Sequence, residues 1–483
     1  MPFLGIDLGT SGLRALLVDD NCQPIGATER YYNVSNPHSG WSEHDPADWI
    51  TALEGAVEEM RATYSEFADI KGIGVAGHMH GATLLDADGN VLRPCILWND
   101  SRSHKQAAAL DQTDQVRALS GNIVFPGFTA PKLEWVRENE PKIFEKTAKV
   151  LLPAAYLNYY LTGDYVADMS DSAGTSWLNV GERDWSQTLL EAGHMRRDQM
   201  PRLVEGTDAA GELRSDLASK WGLTGTVTVA GGAGDNAAAA CGIGALHEGE
   251  GFVSLGTSGV LLSARDGYRP DPETAVHTFC HAIPGRWYQM GVMLSATDSL
   301  NWFARITEKS PADLTSALGD TLQAPSNVRF LPYLSGERTP HNDSEIRGNF
   351  SGLSTATSRD DLTRAVLEGV AFGLRDSFEA LIATGAELDQ LIAIGGGTKS
   401  KYWLQVISTV LGVPVNLLGS GEFGAALGAA RLGMVAATKT SPDSVMLTPK
   451  FRATITPNTN LKNAFDDAYK AFKMSYPAIK SIT

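Results

Sequence analysis

Residues 7–12 read Asp-Leu-Gly-Thr-Ser-Gly, and residues 254–259 read Ser-Leu-Gly-Thr-Ser-Gly. The two segments agree at five of six positions and lie 247 residues apart in a chain of 483. A repeat at about half the chain length constrains the fold more than any local propensity, because it implies one folding unit used twice. Apolar runs flank both copies, at 3–6 and 15–18 around the first and at 251–253 and 260–262 around the second. Each copy therefore reads as a β-hairpin closed by a Gly/Thr/Ser turn.

A second correspondence closes each half. Residues 227–240 run from a β-branched strand through a glycine turn into an Ala-rich helix, and residues 413–430 repeat that order. Between these ends, helices and strands alternate. Asp45 and Pro46 predict a helix start, and Trp49, Leu53, Ala56, Val57, Met60, Tyr64 and Phe67 form one apolar face over 46–67. Residues 70–77 read as a strand with its counterpart at 391–397. The reading is two α/β domains of like topology, divided near 245–252, with both hairpin turns facing a shared cleft.

Composition limits the partners. Lys and Arg number 40 against 56 Asp and Glu, a net charge of −16, which argues against a nucleic-acid partner. Mean hydropathy is −0.13, no apolar run approaches a membrane span, and Asp7 comes too early for a signal peptide. Cys22, Cys95, Cys241 and Cys280 form no CxxC pair and read as free thiols of a cytoplasmic protein.

No Walker A loop occurs. Residues 419–424 match GxGxxG, but no acidic strand end follows about 20 residues later and Glu422 would face a pyrophosphate. The paired Gly-Thr-Ser-Gly turns are better phosphate holders, since glycine admits close approach and the amides and hydroxyls donate without charge. The plain alternative is a pair of tight hairpin turns. Asp7 precedes the first turn, where its repeat partner is Ser254; an acid on one side only suits Mg²⁺ beside phosphates. Asp235 follows a glycine turn at a strand–helix junction, where it is either a helix cap or a general base.

At these residues the chain resembles the FGGY family of carbohydrate kinases. The similarity lies in residues 5–12, 77–81, 97–100, 126–135, 168–175, 234–236, 254–259 and 331–340, with the family's signature stretches near 127–139 and 348–368. It spans residues 3 to about 435. The resemblance implies an α/β fold of two actin-like (ribonuclease H-like) ATPase domains with a catalytic cleft between them. Residues 1–246 would form the sugar-binding domain with the catalytic Asp, and 247–483 the nucleotide-binding domain. It further implies ATP-dependent phosphorylation of D-xylulose to D-xylulose 5-phosphate, with ATP and Mg²⁺ required.

By similarity Asp235 is the proton acceptor, with Met79, His80, Asp235 and Asn236 on the sugar. Gly9, Thr10 and Ser11 approach the phosphates from one side and Gly256 and Thr257 from the other, with Gly396 and Gly397 near the adenosine. Asp7, with Asp235, belongs to the catalytic and Mg²⁺ set. His78 departs from the Gln common in D-xylulose-specific members. A homodimer in the cytoplasm, without nucleic-acid or membrane partners, completes the expectation. Another sugar substrate (ribulose, gluconate or a polyol) and a non-enzymatic actin-like regulatory protein remain the alternatives.

Four further expectations come from the residues alone. His78 and His80 read as an HxH on one strand face; sugar contact is favoured for His80 over a metal pair. Residues 98–102 read either as a packed Trp98 beside a surface ion pair or as a polar rim of the sugar pocket. Lys132 and Trp135 read as a packed surface pair, and the Lys-bearing tail 450–483 as a solvated helix.

Overall fold

The computed structural model describes residues 1–419 and 424–482. The first half builds a sheet from β1 (Phe3–Leu8), β2 (Gly12–Val18), β3 (Pro24–Tyr31), β4 (Gly72–Gly77), β5 (Ala209–Glu212) and β6 (Thr228–Ala230), ordered β5-β6-β4-β1-β2-β3. The second half uses β7 (Gly251–Leu255), β8 (Gly259–Arg265), β9 (His277–Cys280), β10 (Trp287–Met293), β11 (Leu391–Ile394), β12 (Val415–Leu418) and β13 (Phe451–Ile455), ordered β9-β10-β8-β7-β11-β12-β13. In both, a hairpin (β1–β2, β7–β8) continues antiparallel on one side and takes two parallel strands on the other. An antiparallel edge strand closes each sheet, β5 ahead of its neighbour in sequence and β13 after it. The parallel strand β4 is buried along its whole length, as its apolar and Gly composition requires.

Helix α1 (Pro46–Thr63) starts where the sequence places it, with the Asp45 carboxylate accepting from the Ala47 amide at 2.9 Å. Trp49, Leu53, Ala56, Val57 and Met60 are buried on the predicted face. The helix stops sooner than the periodicity suggests: Tyr64 is extended, and Phe67 reaches the core through a 3₁₀ turn at Ser65–Asp69. Between β4 and β5 a long insertion carries helix α2 (Thr129–Asn139).

Two helices join the halves, α3 (Asp235–Ile243) after β6 and α4 (Gly424–Thr438) after β12. Their backbones nearly touch: a Cβ on Gly428 would lie 1.7 Å from the Ala238 carbonyl oxygen. Helix α4 also lies directly on the first sheet, where a Cβ on Gly5 or Gly74 would come 1.9 Å from the carbonyls of Ala426 and Ala429. Arg431 of α4 donates to the carbonyls of Cys241 and Gly242, both at 2.9 Å, so it satisfies the end of α3. One apolar cluster accordingly runs through both halves, including Ala76, Ala238, Phe252, Ile392 and Ala429.

The tail corrects an expectation. Residues 451–455 form the edge strand β13, and helix α5 (Lys462–Lys480) buries Phe465, Ala468, Tyr469 and Phe472 in the second core while its lysines face water. Lysines at helical spacing masked an amphipathic pattern. All four cysteines are free, with Cys95, Cys241 and Cys280 buried. Among the described residues no helix is long and apolar enough to cross a membrane.

Because the α4 contact leaves no room for a side chain, Gly74→Ala should destabilise the protein by about 1–3 kcal/mol in urea unfolding. Gly267→Ala, whose Cβ would meet nothing within 4 Å, should change stability far less.

Candidate active site

Both repeated turns point unpaired amides outward. In the first, the Gly9 amide donates to the Gly12 carbonyl at 2.9 Å, and Tyr32 Oη donates to the Gly9 carbonyl at 2.6 Å. Trp98 Nε1 donates to Thr10 Oγ1 at 3.0 Å. Among the described residues, no backbone carbonyl accepts from the amides of Thr10 or Ser11, nor from those of Gly256 or Thr257. The second turn is held by its carbonyls instead: Gly256 O accepts from the Thr297 amide at 2.9 Å, and Thr257 O from the Ala296 amide at 2.8 Å. Polar groups left open on two turns of this kind make an anion-binding surface without charge. Gly395 (φ +89°) and Gly397 pack on Leu255 beneath the second turn, while Gly396 has open space where a side chain would stand.

The carboxylates converge on one strand end. Asp7 pairs with Ala76 in register, and Ala233, two residues before Asp235, pairs with the same residue from the other side. Asp235 opens α3 rather than capping it, and accepts from the Asn236 amide at 2.7 Å and from Asn236 Nδ2 at 2.9 Å. Burial raises its carboxyl to about 6 despite those donors. Burial and then the charge of Asp235 raise Asp7 to about 7, opposed by Arg14. Among the described residues no donor hydrogen-bonds the Asp7 carboxylate. Two hard oxygen acids so placed suit Mg²⁺. No group of three or more His, Cys, Asp or Glu among the described residues could hold a metal alone, so phosphate oxygens and water would complete the shell.

The residues after β4 do not share a strand face. The strand ends at Gly77, and His78, Met79 and His80 diverge in a turn. His78 is 2% exposed and packs against His44 and Trp49, both at 5.6 Å between ring centroids, with neither ring nitrogen hydrogen-bonded. It lies in an aromatic cluster behind the strand. Met79 packs on Gly234, where a Cβ would come within 2.8 Å of its Cγ, and Tyr288 of the second half reaches its Sδ at 3.7 Å.

His80 adopts a left-handed backbone (φ +70°) and stacks on Phe128 at 4.5 Å. Its Nδ1 lies 2.8 Å from the Gly174 carbonyl. A carbonyl only accepts, so Nδ1 carries the hydrogen and Nε2 remains a bare acceptor. Burial, then the charge of Lys132, push the imidazole down to about 3, with Arg338 adding to the effect and the Gly174 carbonyl opposing it.

Lys132, expected on the surface, is 0% exposed, and its Nζ donates to the His80 carbonyl at 2.7 Å. Thr129 Oγ1 donates to the same oxygen at 3.2 Å. These two donors from α2 hold His80 in its unusual conformation. Burial lowers Lys132 to about 7. Helical spacing alone did not reveal which side of α2 faces inward.

The 98–102 segment reverses the packed-Trp reading. Trp98 is 42% exposed, whereas the Asp100–Arg102 pair is buried at 2.7 Å, with Arg102 stacked 3.6 Å over Trp41. Sequence reasoning also passed over the layer behind Asp235. Asp168 caps a short helix by accepting from the amides of Ser170 (2.7 Å) and Asp171 (3.0 Å), and Ser170 Oγ accepts from the Gly234 amide at 3.1 Å. The backbone before Asp235 is thereby tied to residues 168–171. Residues 420–423, including Glu422, lie outside the described residues.

Two measurements follow from this geometry. His78 titrates near 6.5 when unfolded but stays neutral to about 3 when folded, so folding stability is intact above pH 6.5 and falls as pH drops below it. His78→Gln should remove about 2 kcal/mol of the stability lost between pH 7 and 5, read by urea unfolding at each pH. Lys132→Met should shift the His80 imidazole resonances and its titration while leaving that of His341 unchanged, read by NMR; an unmoved His80 signal would show that Lys132 does not hold it.

Comparison with known proteins places the chain in a family. Residues 2–242 match the N-terminal domain of the FGGY family of carbohydrate kinases and residues 251–437 its C-terminal domain. The chain is 46% identical to a xylulose kinase of Escherichia coli (strain K12) over 438 residues, 90% of each chain. It is 44% identical to a xylulose kinase of Klebsiella pneumoniae over 436 residues, again 90% of each. A crystal structure from Brucella ovis, described as a xyloylose kinase, superposes with a TM-score of 0.99 at 55% identity over the whole of both chains. The chain belongs to the FGGY family of carbohydrate kinases and has its two-domain, actin-like α/β fold.

Proposed function

We propose that this FGGY-family kinase transfers the γ-phosphoryl group of ATP to the terminal hydroxyl of D-xylulose, giving D-xylulose 5-phosphate and ADP. One observation carries the reading: the Asp235 carboxyl, raised to about 6, follows the Gly234 on which Met79 packs, and Met79 precedes the neutral acceptor His80, in a fold whose two turns leave backbone amides without a backbone acceptor among the described residues. A base needs this environment, ionised at neutral pH yet basic enough to take a proton. The xylulose kinase relatives, similar along most of the chain, support the substrate.

Asp235 accepts the proton of the C5 hydroxyl as its oxygen bonds to the γ-phosphorus and the bond to the β–γ bridging oxygen breaks, releasing ADP. Asn236 orients that carboxylate through its two donors. His80 Nε2 accepts from a sugar hydroxyl, and Met79 supplies an apolar wall. The amides of Thr10, Ser11, Gly256 and Thr257, with Gly9 allowing close approach, hold the phosphates in line. Gly396 leaves room for the adenosine, and Gly397 lets that loop pack on Leu255. Asp7 and Asp235 would hold Mg²⁺, which when bound offsets phosphate charge.

We assign sugar binding and the base to residues 1–246 and the nucleotide to 247–483. His78 stays behind the strand, which favours an unaltered sugar pocket despite its departure from Gln. Free thiols fit a reducing cytoplasm and the −16 charge fits a chain without nucleic acid; a homodimer is the assembly to look for.

Asp235→Ala should lower kcat by about 10²–10⁴-fold while calorimetry still detects sugar binding. Near-native turnover would falsify the assignment. ADP release assayed with D-xylulose, D-ribulose, gluconate and xylitol should be fastest with D-xylulose; preference for another sugar would move the substrate within the family, and no turnover with any would favour the regulatory-protein alternative.

A further inference from the structure

Arg338 sits on a loop of the second half whose neighbours are fastened to β10 and to the residue after it. The Thr339 amide donates to the Val292 carbonyl, and the Val292 amide to Thr339 Oγ1, both at 3.0 Å. Glu337 Oε1 accepts from the Leu294 amide at 3.0 Å and from the Arg338 amide at 2.7 Å. With the loop so held, the half-buried Arg338 side chain crosses to the first half, its guanidinium carbon 4.1 Å over the ring of Phe125. Phe125 meets Phe128 at 5.5 Å, and Phe128 is the ring on which His80 stacks. A cation from the nucleotide-side half thus reaches the aromatic wall behind the sugar-binding histidine.

Apart from the Phe125 ring, that cation has no hydrogen-bond or ion-pair partner among the described residues. Among the described residues no carboxylate pairs with the Arg338 guanidinium and no acceptor takes its side-chain hydrogens. Glu337, next in sequence, acts on it only through space: burial pushes that carboxyl up to about 8 against the pull of Arg338, and one of its oxygens is held by the two amides. A guanidinium offers a fork of donors suited to two adjacent oxygens. The charge acts on His80 and His277, whereas Asp235 is shifted by burial and Asn236. Through Phe125 and Phe128, Arg338 therefore lies on the His80 side of the site.

We propose that Arg338 is a specificity-determining residue that donates to the C2 carbonyl and C1 hydroxyl oxygens of the bound 2-ketose. The assignment rests on the ketopentose reading, in which the C5 hydroxyl lies at Asp235 and the C1–C2 end points away from it. A carbonyl oxygen accepts from the guanidinium without having to donate, which an alditol hydroxyl at C2 does less well. Because Arg338 comes from the second half, it also engages the sugar from across the halves.

The test compares D-xylulose with xylitol, which differs at C2, for the native protein, Arg338→Met and Arg338→Lys, with MgADP binding by calorimetry as the folding control. Arg338→Met should raise the D-xylulose KM about 10- to 100-fold, more than it lowers kcat, and cut the ratio of kcat/KM for ketose over alditol about tenfold. Arg338→Lys, which keeps the charge but loses the fork, should fall between, and carries the test if the methionine variant does not bind MgADP. An unchanged ketose-to-alditol ratio, or an unchanged ketose KM, would overturn the role of Arg338. Failure of the native protein to turn over D-xylulose would overturn the substrate reading instead.

Discussion

A backbone-on-backbone contact holds the site together. Helix α4 follows the last parallel strand of the second half, yet it lies on β1 and β4 of the first, at distances only Gly5 and Gly74 permit. The same helix crosses α3 at Gly428, and α3 begins with Asp235. The helix that Asp235 opens and the strand carrying Asp7 are thus referred to one tightly packed element. Close packing transmits displacement rather than absorbing it, so rotation of one half carries the phosphate-facing turn as a unit.

Electrostatics then divides labour between the halves. The first keeps two carboxylates whose charge is disfavoured by burial and, for Asp7, by its neighbour. An acidic protein binding a polyphosphate faces repulsion, and the open amides of both turns answer it without adding fixed charge. Neutral His80, fixed in one tautomer by Gly174, contributes an acceptor rather than a second cation. Positive charge enters from Lys132, spent on a main-chain carbonyl, and from Arg338, which lies over the Phe125 ring with no carboxylate in ion-pair reach among the described residues.

What the sequence revealed follows from which interactions are local. Hairpins, the β4/β11 correspondence and the helix start at Asp45 depend on residues a few positions apart, so periodicity and turn chemistry exposed them. Lys132 and the Asp100–Arg102 pair could not be read in this way, because their burial is decided by segments far along the chain: the His80 carbonyl in one case, Trp41 and Ser42 in the other. Resemblance to a kinase family supplied site residues that periodicity could not. It was silent about the reason His78 does not occupy the pocket, a turn that sends successive side chains in different directions.

The repeat has diverged where chemistry is asymmetric and stayed alike where it is not. Both halves need a turn with open amides, and both retain Gly-Thr-Ser-Gly. The proposed mechanism needs an acid beside the phosphates on one side only, and Asp7 corresponds to Ser254 in the repeat. The extra strand β9 and the loop carrying Arg338 belong to the second half alone, and both deliver side chains toward the first: His277 packs 5.1 Å from Phe125, and Arg338 covers the same ring. Under the proposed mechanism, the duplicated scaffold keeps its phosphate turns alike in both halves and places the base in one. The other half adds His277 and Arg338, the side chains that reach Phe125 across the halves.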